Sequence, residues 1–241
     1  MTLHSTNSSR PVNLDEIYTR FADIENEVSR YREHFQNKVV LCNCNDPFES
    51  NFFKYFAVNF NNLELKKLIA ISRPTSSIKG SELPIFGSSE KLNSMASMIV
   101  LDNMRDMNQD NIIDIEDVKE FILSRIDTRI PLTGNGDFRS YECMDILQEA
   151  DIAVTHPPYS LFREYLELMF NFRKKFLLLG SASFIIYKDV FSQLQSGAMH
   201  LGSQGRHNNM EFQIAGSNCP THNLVSIKNM CWFTNLMPTG A

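Results

Sequence analysis

The stretch that decides the fold is DIAVTHPPYSLFREYLELMFNFRKKFLLLG, residues 151–180. The run DIAVT has the length and composition of a buried strand, LFREYLELMF has helical periodicity, and KFLLLG is a second apolar strand. Two adjacent prolines, Pro157 and Pro158, fix the loop between the first strand and the helix. A strand, a helix and a second strand in this order predict one unit of a mostly parallel sheet.

The same alternation continues on both sides of this unit. The predicted strands KVVLCN and KKLIAI flank a predicted helix, ESNFFKYFAVNF, and two further helices are expected at YECMDILQEA and KDVFSQLQ. Strands that alternate with helices indicate an α/β protein whose doubly wound, mostly parallel sheet is covered on both faces.

The ends of the chain differ from this pattern. Apolar residues from Leu14 to Tyr31 recur at three- and four-residue intervals, so residues 1–34 are predicted to be an amino-terminal helical segment packed on the main domain, residues 35–241. Residues 73–93, rich in Ser, Pro and Gly, are expected to form a loop. Beyond about residue 197 the pattern turns to short strand-like pieces, MHLG, EFQIA, LVSI and MCWFTN, whose pairing the sequence does not give.

Composition limits the kind of protein. The chain has 241 residues and 43% hydrophobic residues, enough for one sizeable domain. No apolar run approaches the roughly 20 residues of a membrane span, and the amino terminus lacks a signal-peptide pattern, so a cytoplasmic protein without membrane association is expected. No obligate protein partner is evident.

Charge alone does not indicate nucleic-acid binding, because the net charge is −5. A local basic patch could still neutralise phosphates, although scattered solvated charges explain the same residues equally well. The candidates are Lys174, Lys175, Arg206, His207 and Lys228.

The five cysteines are an odd number without metal-site spacing, so reduced thiols are expected. Cys42 and Cys44 lie two apart in a predicted strand, where their side chains would share one face; core packing is favoured there over metal ligation. Trp232 is expected in the core rather than on a base-stacking surface, and His34 and His200 are expected at surface or packing positions.

Residues 94–126 contain a calcium-loop pattern, DMNQDNIIDIED, residues 106–117. Its oxygen-bearing residues have the spacing of a helix-loop-helix site of the EF-hand kind, with Asn111 in place of the usual glycine. The candidate Ca²⁺ ligands are Asp106, Asn108, Asp110, Ile112, Asp114 and Asp117. The alternative is an acidic helix start, Asp114 to Asp117, stabilised by the helix dipole without any metal.

Two segments have the order of a cofactor site. NDPF, Asn45 to Phe48, ends a predicted strand, and TGNGDFRS places Asp137 and Phe138 after a Gly-rich turn. Class I methyltransferases that modify amino groups have similar segments, which hold the methionine portion and the adenine of S-adenosylmethionine. An ordinary turn before a helix is the alternative for each segment.

The third segment is THPPYS, residues 155–160. It resembles the (D/N/S)PP(Y/F) loop of amino-methyltransferases, in which a side-chain oxygen and the first proline's carbonyl accept hydrogen bonds from the target amine while the aromatic residue stacks on the flipped base. A rigid turn is the alternative. Glycine-rich nucleotide loops of the GxGxxG and phosphate-loop kinds are absent from the sequence, as is a nucleophile elbow.

Taken together, the segments resemble one family, the EcoRI-type adenine-specific DNA methyltransferases. Three stretches of the chain are similar to that family's strings GDGDFRS, VTNPPFSLFREY, KKFLIIG and WFTNL. They are GNGDFRSYECMDILQEADIAVTHPPYSLFREYLELM, KKFLLLGSASFIIYKDVF and CWFTNL. A fourth stretch, NDPFESNFFKYFAVNFNNLELKKLIA, is similar to the family's amino-terminal cofactor segment. The resemblance covers roughly residues 12–236 and is most specific between Asp137 and Tyr165.

The resemblance implies a Rossmann-like methyltransferase that transfers a methyl group from S-adenosylmethionine to the exocyclic amine of adenine in DNA, without a metal or covalent intermediate. It implies two groups of site residues. The implied cofactor residues are Asn45, Asp46, Pro47, Phe48, Asp137 and Phe138, and the implied catalytic residues are His156, Pro157, Pro158 and Tyr159.

An alternative is a non-catalytic methyltransferase-fold protein that binds cofactor or nucleic acid, favoured by His156, by the missing glycines after Phe48, where the family usually has a Gly-Ser-Gly type turn, and by the acidic net charge. His156 stands where the family has Asn; a neutral imidazole offers one acceptor, whereas a protonated one offers none. The chain also ends soon after CWFTNL, where family members continue into part of their DNA-recognition region. We therefore expect reduced activity and a truncated recognition region from about residue 197.

Overall fold

A nine-stranded sheet forms the centre of the residues that the computed structural model describes, which are 17–44, 47, 50–72, 96–124, 129–214 and 224–239. The strands are β1 (Ile17–Thr19), β2 (Val39–Cys42), β3 (Lys67–Ser72), β4 (Ser97–Leu101), β5 (Arg129–Pro131), β6 (Ile152–Thr155), β7 (Lys175–Ser181), β8 (His200–Ile214) and β9 (Leu224–Thr234). The α-helices are α1 (Phe21–Val28), α2 (Asn51–Val58), α3 (Ile115–Ser124), α4 (Tyr141–Glu149), α5 (Phe162–Asn171) and α6 (Lys188–Gln195).

The strand order is β1-β8-β9-β7-β6-β2-β3-β4-β5. The central strands β3, β2, β6 and β7 are parallel, whereas β4, β5, β9, β8 and β1 extend the sheet through antiparallel pairs. The chain builds outward from β2 in one direction and later from β6 in the other. The predicted doubly wound, largely parallel sheet is therefore confirmed at its centre.

Two hydrophobic layers lie on opposite faces of the sheet. Helices α1, α2 and α3 cover one face, where Trp232 is fully buried among residues such as Phe52 and Phe56. Helices α4, α5 and α6 cover the other face around Phe162, Tyr165 and their neighbours. The apolar positions of each helix recur at helical spacing, so each helix buries one stripe against the sheet. The prediction that Trp232 belongs to the core is confirmed.

The amino-terminal segment is not one continuous helix. Tyr18 lies in β1, which pairs with the end of β8, and α1 begins only after Arg20, whose carbonyl accepts the first helical hydrogen bonds. Beyond α1 the chain continues as a tighter helical turn to Phe35, with a kink at Tyr31. Pairing with β8 satisfies the backbone of Tyr18, and this tertiary contact overrides the local helical periodicity.

The four strand-like pieces beyond residue 197 form two long antiparallel strands, β8 and β9. A bulge between Leu201 and Arg206 interrupts their register. The buried Glu27 of α1 holds this bulge, because its carboxylate accepts from Ser203 N at 2.7 Å and from Gln204 N at 3.3 Å. MHLG and EFQIA therefore belong to one bulged strand, which sequence periodicity divides into two.

The segment 94–126 contributes to the sheet. Ser97–Leu101 is a strand, β4, that pairs with β3, and the acidic loop runs from it into α3. A strand rather than a helix thus precedes the loop, so the expected helix-loop-helix insertion is not confirmed. The expected loop at residues 73–93 lies outside the described residues.

The described cysteines, Cys42, Cys44, Cys143 and Cys231, are reduced thiols, as expected. Cys42 packs in the layer with Trp232, whereas Cys44 contacts the opposite layer. The prediction that Cys42 and Cys44 share a face is wrong, because β2 ends at Cys42 and the backbone of Cys44 turns into the left-handed region with φ +77°. Within the described part of the chain, the helices are too short or too polar to span a membrane.

Candidate active site

The candidate site lies at the carboxyl ends of β2 and β6. These adjacent parallel strands lead to opposite halves of the sheet, and the crevice outside such a pair is where ligands bind in doubly wound proteins. The turn after β2 contains the predicted cofactor residues, and the loop after β6 contains His156, Pro157, Pro158 and Tyr159. The topology therefore brings these two predicted segments to one edge.

A buried asparagine ties the two loops together. Asn43, the residue after β2, accepts a hydrogen bond on its backbone oxygen from Thr155 Oγ1 at the end of β6. Its side-chain oxygen accepts from Tyr165 OH of α5. Burial raises the pKa of Tyr165 well above its usual value, so the phenol remains a donor at neutral pH. Asn43 thus fixes the crevice floor.

The turn after β2 has a backbone shape suited to close approach by a ligand. Cys44 takes φ +77°, a conformation usual for glycine and unfavourable for other residues by roughly 1–2 kcal/mol. Pro47 is buried, and Ser50 caps α2 by accepting from Phe52 N at 3.3 Å. The backbone therefore leaves β2 in a sharp turn at Cys44, a short distance before the amino terminus of α2. Predicted cofactor residues Asn45, Asp46 and Phe48 lie outside the described residues.

The GDFRS loop reaches the same crevice through aromatic packing. Phe138 is buried, with its ring edge-on to that of Tyr165 at 5.0 Å between centroids. Asp137 lies beside it, at the rim, and accepts three hydrogen bonds from Arg139 at 2.7–2.9 Å. This ion pair raises the pKa of Arg139, whose guanidinium is cationic at neutral pH. The GDFRS loop is therefore joined to Asn43 through Tyr165.

The Gly-rich turn before Asp137 is held by a carboxylate from α4. Glu142 accepts from Thr133 N at 2.9 Å and from Gly134 N at 3.0 Å. These backbone hydrogen bonds, that from Thr133 first, lower the pKa of Glu142. This fixed turn determines the direction in which the loop presents the carboxylate of Asp137.

His156 is enclosed by aromatic rings. Its side chain is 5% exposed, and its ring lies 5.9 Å from that of Tyr159 and 5.7 Å from that of Phe212 on β8. Burial lowers the pKa of His156 to about 4, so the imidazole is neutral at physiological pH. Its Nε2 is buried without a hydrogen-bond partner among the described residues. Buried polar atoms are usually hydrogen-bonded, so an atom of this kind indicates a position with a possible role in binding or catalysis.

Tyr159 is positioned by a series of aromatic contacts. Its hydroxyl lies 2.8 Å from Met230 Sδ, and its ring lies 5.8 Å from that of Phe184. Phe184 stacks on Phe162 at 4.4 Å, and Phe162 packs over Gly180, where a Cβ would come within 2.5 Å of the ring. Burial raises the pKa of Tyr159 to about 12. The ring therefore lies neutral and partly exposed at the edge of the crevice.

The acidic loop uses its carboxylates on its own backbone. Asp106 accepts from Asn111 N at 2.6 Å, and Asp117 accepts from Met107 N and Asp114 N, each at 2.8 Å. Asn111 has the expected positive φ, +68°. Among the described residues no group of three or more His, Cys, Asp or Glu side chains is placed to hold a metal. The calcium prediction, on Asp106, Asn108, Asp110, Ile112, Asp114 and Asp117, is therefore not supported, and the acidic helix start of α3 explains the loop.

Two of the basic residues considered for phosphate binding, Lys174 and Lys228, lie at opposite edges of the sheet. Lys174 donates to the carbonyls of Gln148 and Ala150, at the amino ends of the parallel strands, whereas Lys228 is exposed on β9 at the opposite edge. A cavity of about 340 Å³ also lies at the amino ends, lined by Lys38, Lys174 and their neighbours. It is remote from the crevice. The side chains of Arg206 and His207 lie outside the described residues.

Several residues of the site were not predicted from the sequence. Asn43, Tyr165, Phe184 and Phe212 lie up to 169 positions apart, and only the sheet brings them together. Tyr165 falls within the run most similar to the family, which is a usable signal. Phe212 lies in EFQIA, where the strand pairing had to be known first.

A largely parallel sheet with a proline-rich loop at the end of β6 is compatible with a methyltransferase of the kind that modifies amino groups. The family model described as adenine-specific methyltransferase EcoRI matches residues 5–239. The chain therefore belongs to the EcoRI family of adenine-specific methyltransferases.

Three relatives are similar over nearly the whole chain. The type II methyltransferase M.EcoRI of Escherichia coli is 39% identical over 244 residues, which cover 97% of this chain and 68% of that protein. M.MpnI of Mycoplasma pneumoniae is 32% identical and M.MgeORF184P of Mycoplasma genitalium 31%, each with 97% of this chain and 65% of the relative covered. The chain thus spans about two thirds of the length of these relatives. No solved structure matches it.

Proposed function

We propose that the protein transfers a methyl group from S-adenosylmethionine to the exocyclic amine of adenine in DNA. Family membership and the names of the relatives, which are type II methyltransferases, support this reaction. The observation in this chain that supports the reaction is the neutral, buried His156, whose Nε2 has no hydrogen-bond partner among the described residues. The site therefore offers an acceptor at the position where the family has Asn.

His156 accepts one hydrogen from the target amine. In the tautomer that leaves Nε2 unprotonated, the ring is an acceptor, and its lowered pKa prevents conversion to a donor-only cation at neutral pH. The carbonyl of Pro157 accepts the second hydrogen. Two acceptors hold the amine so that its lone pair points away from both, toward the methyl group. His156 thus keeps the role of hydrogen-bond acceptor that Asn has in the family, although its ring is bulkier than a carboxamide.

Tyr159 holds the base. Its ring is neutral, partly exposed and fixed by Phe184 and Met230, which makes it a suitable surface for stacking a purine turned out of the duplex. Pro157 and Pro158 limit the conformations of the loop, so little entropy is lost when the base binds. The loop after β6 is therefore the adenine site.

The cofactor is held on the other side of the crevice. When bound, S-adenosylmethionine supplies the methyl group on its sulfonium sulfur. We assign its methionine portion to the turn from Asn45 to Phe48, and its adenine amine to Asp137 at the rim. Phe138 is buried against Tyr165, so it supports this loop from below. The sharp turn at Cys44 is the feature of the structure that supports this assignment.

The test is transfer of labelled methyl groups to mixed-sequence DNA by the wild type, His156→Asn and His156→Phe. We expect label with the wild type and with His156→Asn. His156→Phe keeps an apolar ring in the pocket but removes the acceptor, so its rate should fall about a hundredfold or more, the usual cost of one well-aimed polar contact. Equal rates for the wild type and His156→Phe would contradict the role of Nε2.

The alternative function is a non-catalytic protein that binds cofactor or nucleic acid, and the departure at His156 favours it. Label with His156→Asn but not with the wild type would support this alternative and locate the defect. Cofactor binding, measured by calorimetry, separates the remaining cases. A wild type that neither binds S-adenosylmethionine nor labels DNA would contradict the methyltransferase proposal itself.

A further inference from the structure

Three exposed apolar side chains form a patch beside the adenine site. Ile186, Tyr187 and Phe191 follow the carboxyl end of β7, and they are 82%, 41% and 51% exposed, respectively. Tyr187 and Phe191 are four residues apart at the start of α6, where Phe191 N donates to Tyr187 O at 2.8 Å, so they are neighbours on the surface. Exposed apolar groups that cluster in this way mark interaction sites more often than single ones do.

The patch is continuous with the base-holding residues. The ring of Phe184 lies 5.8 Å from that of Tyr159 and 6.4 Å from that of Tyr187. Ile186 is the last residue of the tight helical turn that contains Phe184. Because this turn is fixed by the stack of Phe184 on Phe162, Ile186 projects from a rigid part of the crevice edge. The partner that occupies the crevice therefore also meets the patch.

Cationic groups flank the patch. The guanidinium of Arg163 lies over the ring of Tyr187, 4.5 Å from its centroid, and donates to Asp189 at 2.8 Å. Lys188 is exposed next to Tyr187. Apolar side chains between cations are complementary to a nucleic-acid duplex, whose bases are apolar on their faces and whose phosphates are anionic. A second protein copy would not require this arrangement.

We propose that Ile186 inserts into the DNA base stack beside the target adenine, while Tyr187 and Phe191 cover the neighbouring sugars and bases. The inference rests on the proposed function, because it assigns a duplex partner to the same site. Turning a base out of the duplex breaks its stacking, and an apolar side chain that enters the vacated stack offsets that loss. Arg163 and Lys188 bind the adjacent phosphates. Ile186 is thus a positioning residue that acts on the duplex and not on the amine.

The experiment compares Ile186→Ala with the wild type on two substrates, mixed-sequence duplex DNA and the same DNA as separated strands. A side chain that fills the stack matters only when a stack must be opened. We therefore expect methyl transfer to the duplex to fall about tenfold or more, as for removal of one buried aliphatic group, with transfer to single strands unchanged. Ile186→Leu should restore the duplex rate. Met237→Ala is the matched control, because Met237 is 67% exposed at the opposite edge of the sheet.

A second measurement does not depend on catalysis. Mixed-sequence duplexes with 2-aminopurine in place of adenine should become more fluorescent when the wild type binds, because the base leaves the stack, and much less so with Ile186→Ala. Equal rates and equal fluorescence for the two proteins would overturn the inference while leaving the proposed function intact. So would a wild-type dimer that Ile186→Ala converts to a monomer without any change in base opening. Loss of methyl transfer in the wild type, with base opening retained and sensitive to Ile186→Ala, would overturn the proposed function alone.

Discussion

Acid should destabilise this protein through His156, and the size of the effect follows from its burial. The imidazole has an ordinary pKa of 6.5 in the unfolded chain and a pKa of about 4 in the folded protein, where it is desolvated. Between these values the unfolded chain binds more protons than the folded one. The free energy of unfolding therefore decreases as the pH falls from 6.5 toward about 4. Above pH 6.5 the imidazole is neutral in both states, and the stability lost in acid is fully present.

One pKa unit corresponds to about 1.4 kcal/mol, so the difference between 6.5 and about 4 amounts to about 3 kcal/mol for this one side chain. That is a substantial part of the roughly 5–15 kcal/mol by which most domains are stable. The two aromatic neighbours contribute nothing to this dependence, because Phe212 has no titratable group and the pKa of Tyr159 is about 12. Among the described residues, desolvation is the cause of the lowered pKa of His156.

The assay is urea unfolding of the wild type and His156→Asn at several pH values between about 7.5 and about 4.5, the window in which the folded and unfolded chains bind different numbers of protons at His156. The amide of Asn does not titrate, so the difference in unfolding free energy between the two proteins isolates the histidine from all other groups. We expect the wild type to lose stability relative to His156→Asn as the pH decreases, with a slope that approaches about 1.4 kcal/mol per pH unit. A difference that stays constant over this range would show that His156 is solvated or paired, and would refute the neutral-acceptor argument.

Three further substitutions test how the fold supports the site, and Gly134→Ala is the control for folding stability alone, because a Cβ there meets nothing closer than 3.4 Å. Gly202→Ala places a Cβ 2.3 Å from Glu27 Oε1 and 2.5 Å from Trp232 Cβ, which should displace the bulge of β8. Urea unfolding should then show a free energy of unfolding lower by about 3 kcal/mol. An unchanged unfolding midpoint would contradict the role of Glu27. Gly180→Ala places a Cβ 2.5 Å from the ring of Phe162 and should disturb Phe184 and Tyr159, lowering methyl transfer more than cofactor affinity. Asp137→Asn removes the charge at the crevice rim and should weaken S-adenosylmethionine binding in calorimetry about tenfold, whereas Asp145→Asn, on the exposed side of α4, should leave it unchanged.

The central part of the fold could be predicted because local signals there agree with the tertiary structure. Each parallel strand is a short apolar run, and each helix between strands has one apolar stripe, so β2, β3, β6 and β7 follow from periodicity alone. The outer strands do not follow from it. Tyr18 has helical spacing but pairs with β8, and β8 contains a bulge that depends on Glu27, a residue 176 positions away from Ser203.

The chemistry of the site was less predictable than its location. The prolines and Tyr159 identify the loop from sequence, since few structural uses require two prolines at the end of a strand. The state of His156 does not follow from the loop, because it depends on Phe212, which reaches the site only through the pairing of β8 with β9 and β1. Similarly, the spacing of the acidic loop suits a cation, but its carboxylates accept backbone hydrogen bonds around the start of α3.

Burial changes what the substitution at His156 means. A histidine in water at its ordinary pKa would be partly protonated near neutral pH, and the cation would repel the positive charge that develops on an attacking amine. The apolar enclosure by Phe212 and Tyr159 removes that state by disfavouring the charged ring. Among the described residues Nε2 has no hydrogen-bond partner, so on the proposed function a hydrogen bond from the adenine amine would replace no protein contact of these residues. The ring thus has the electronic property that an amine-orienting group requires, and the remaining difference from Asn is one of size and direction.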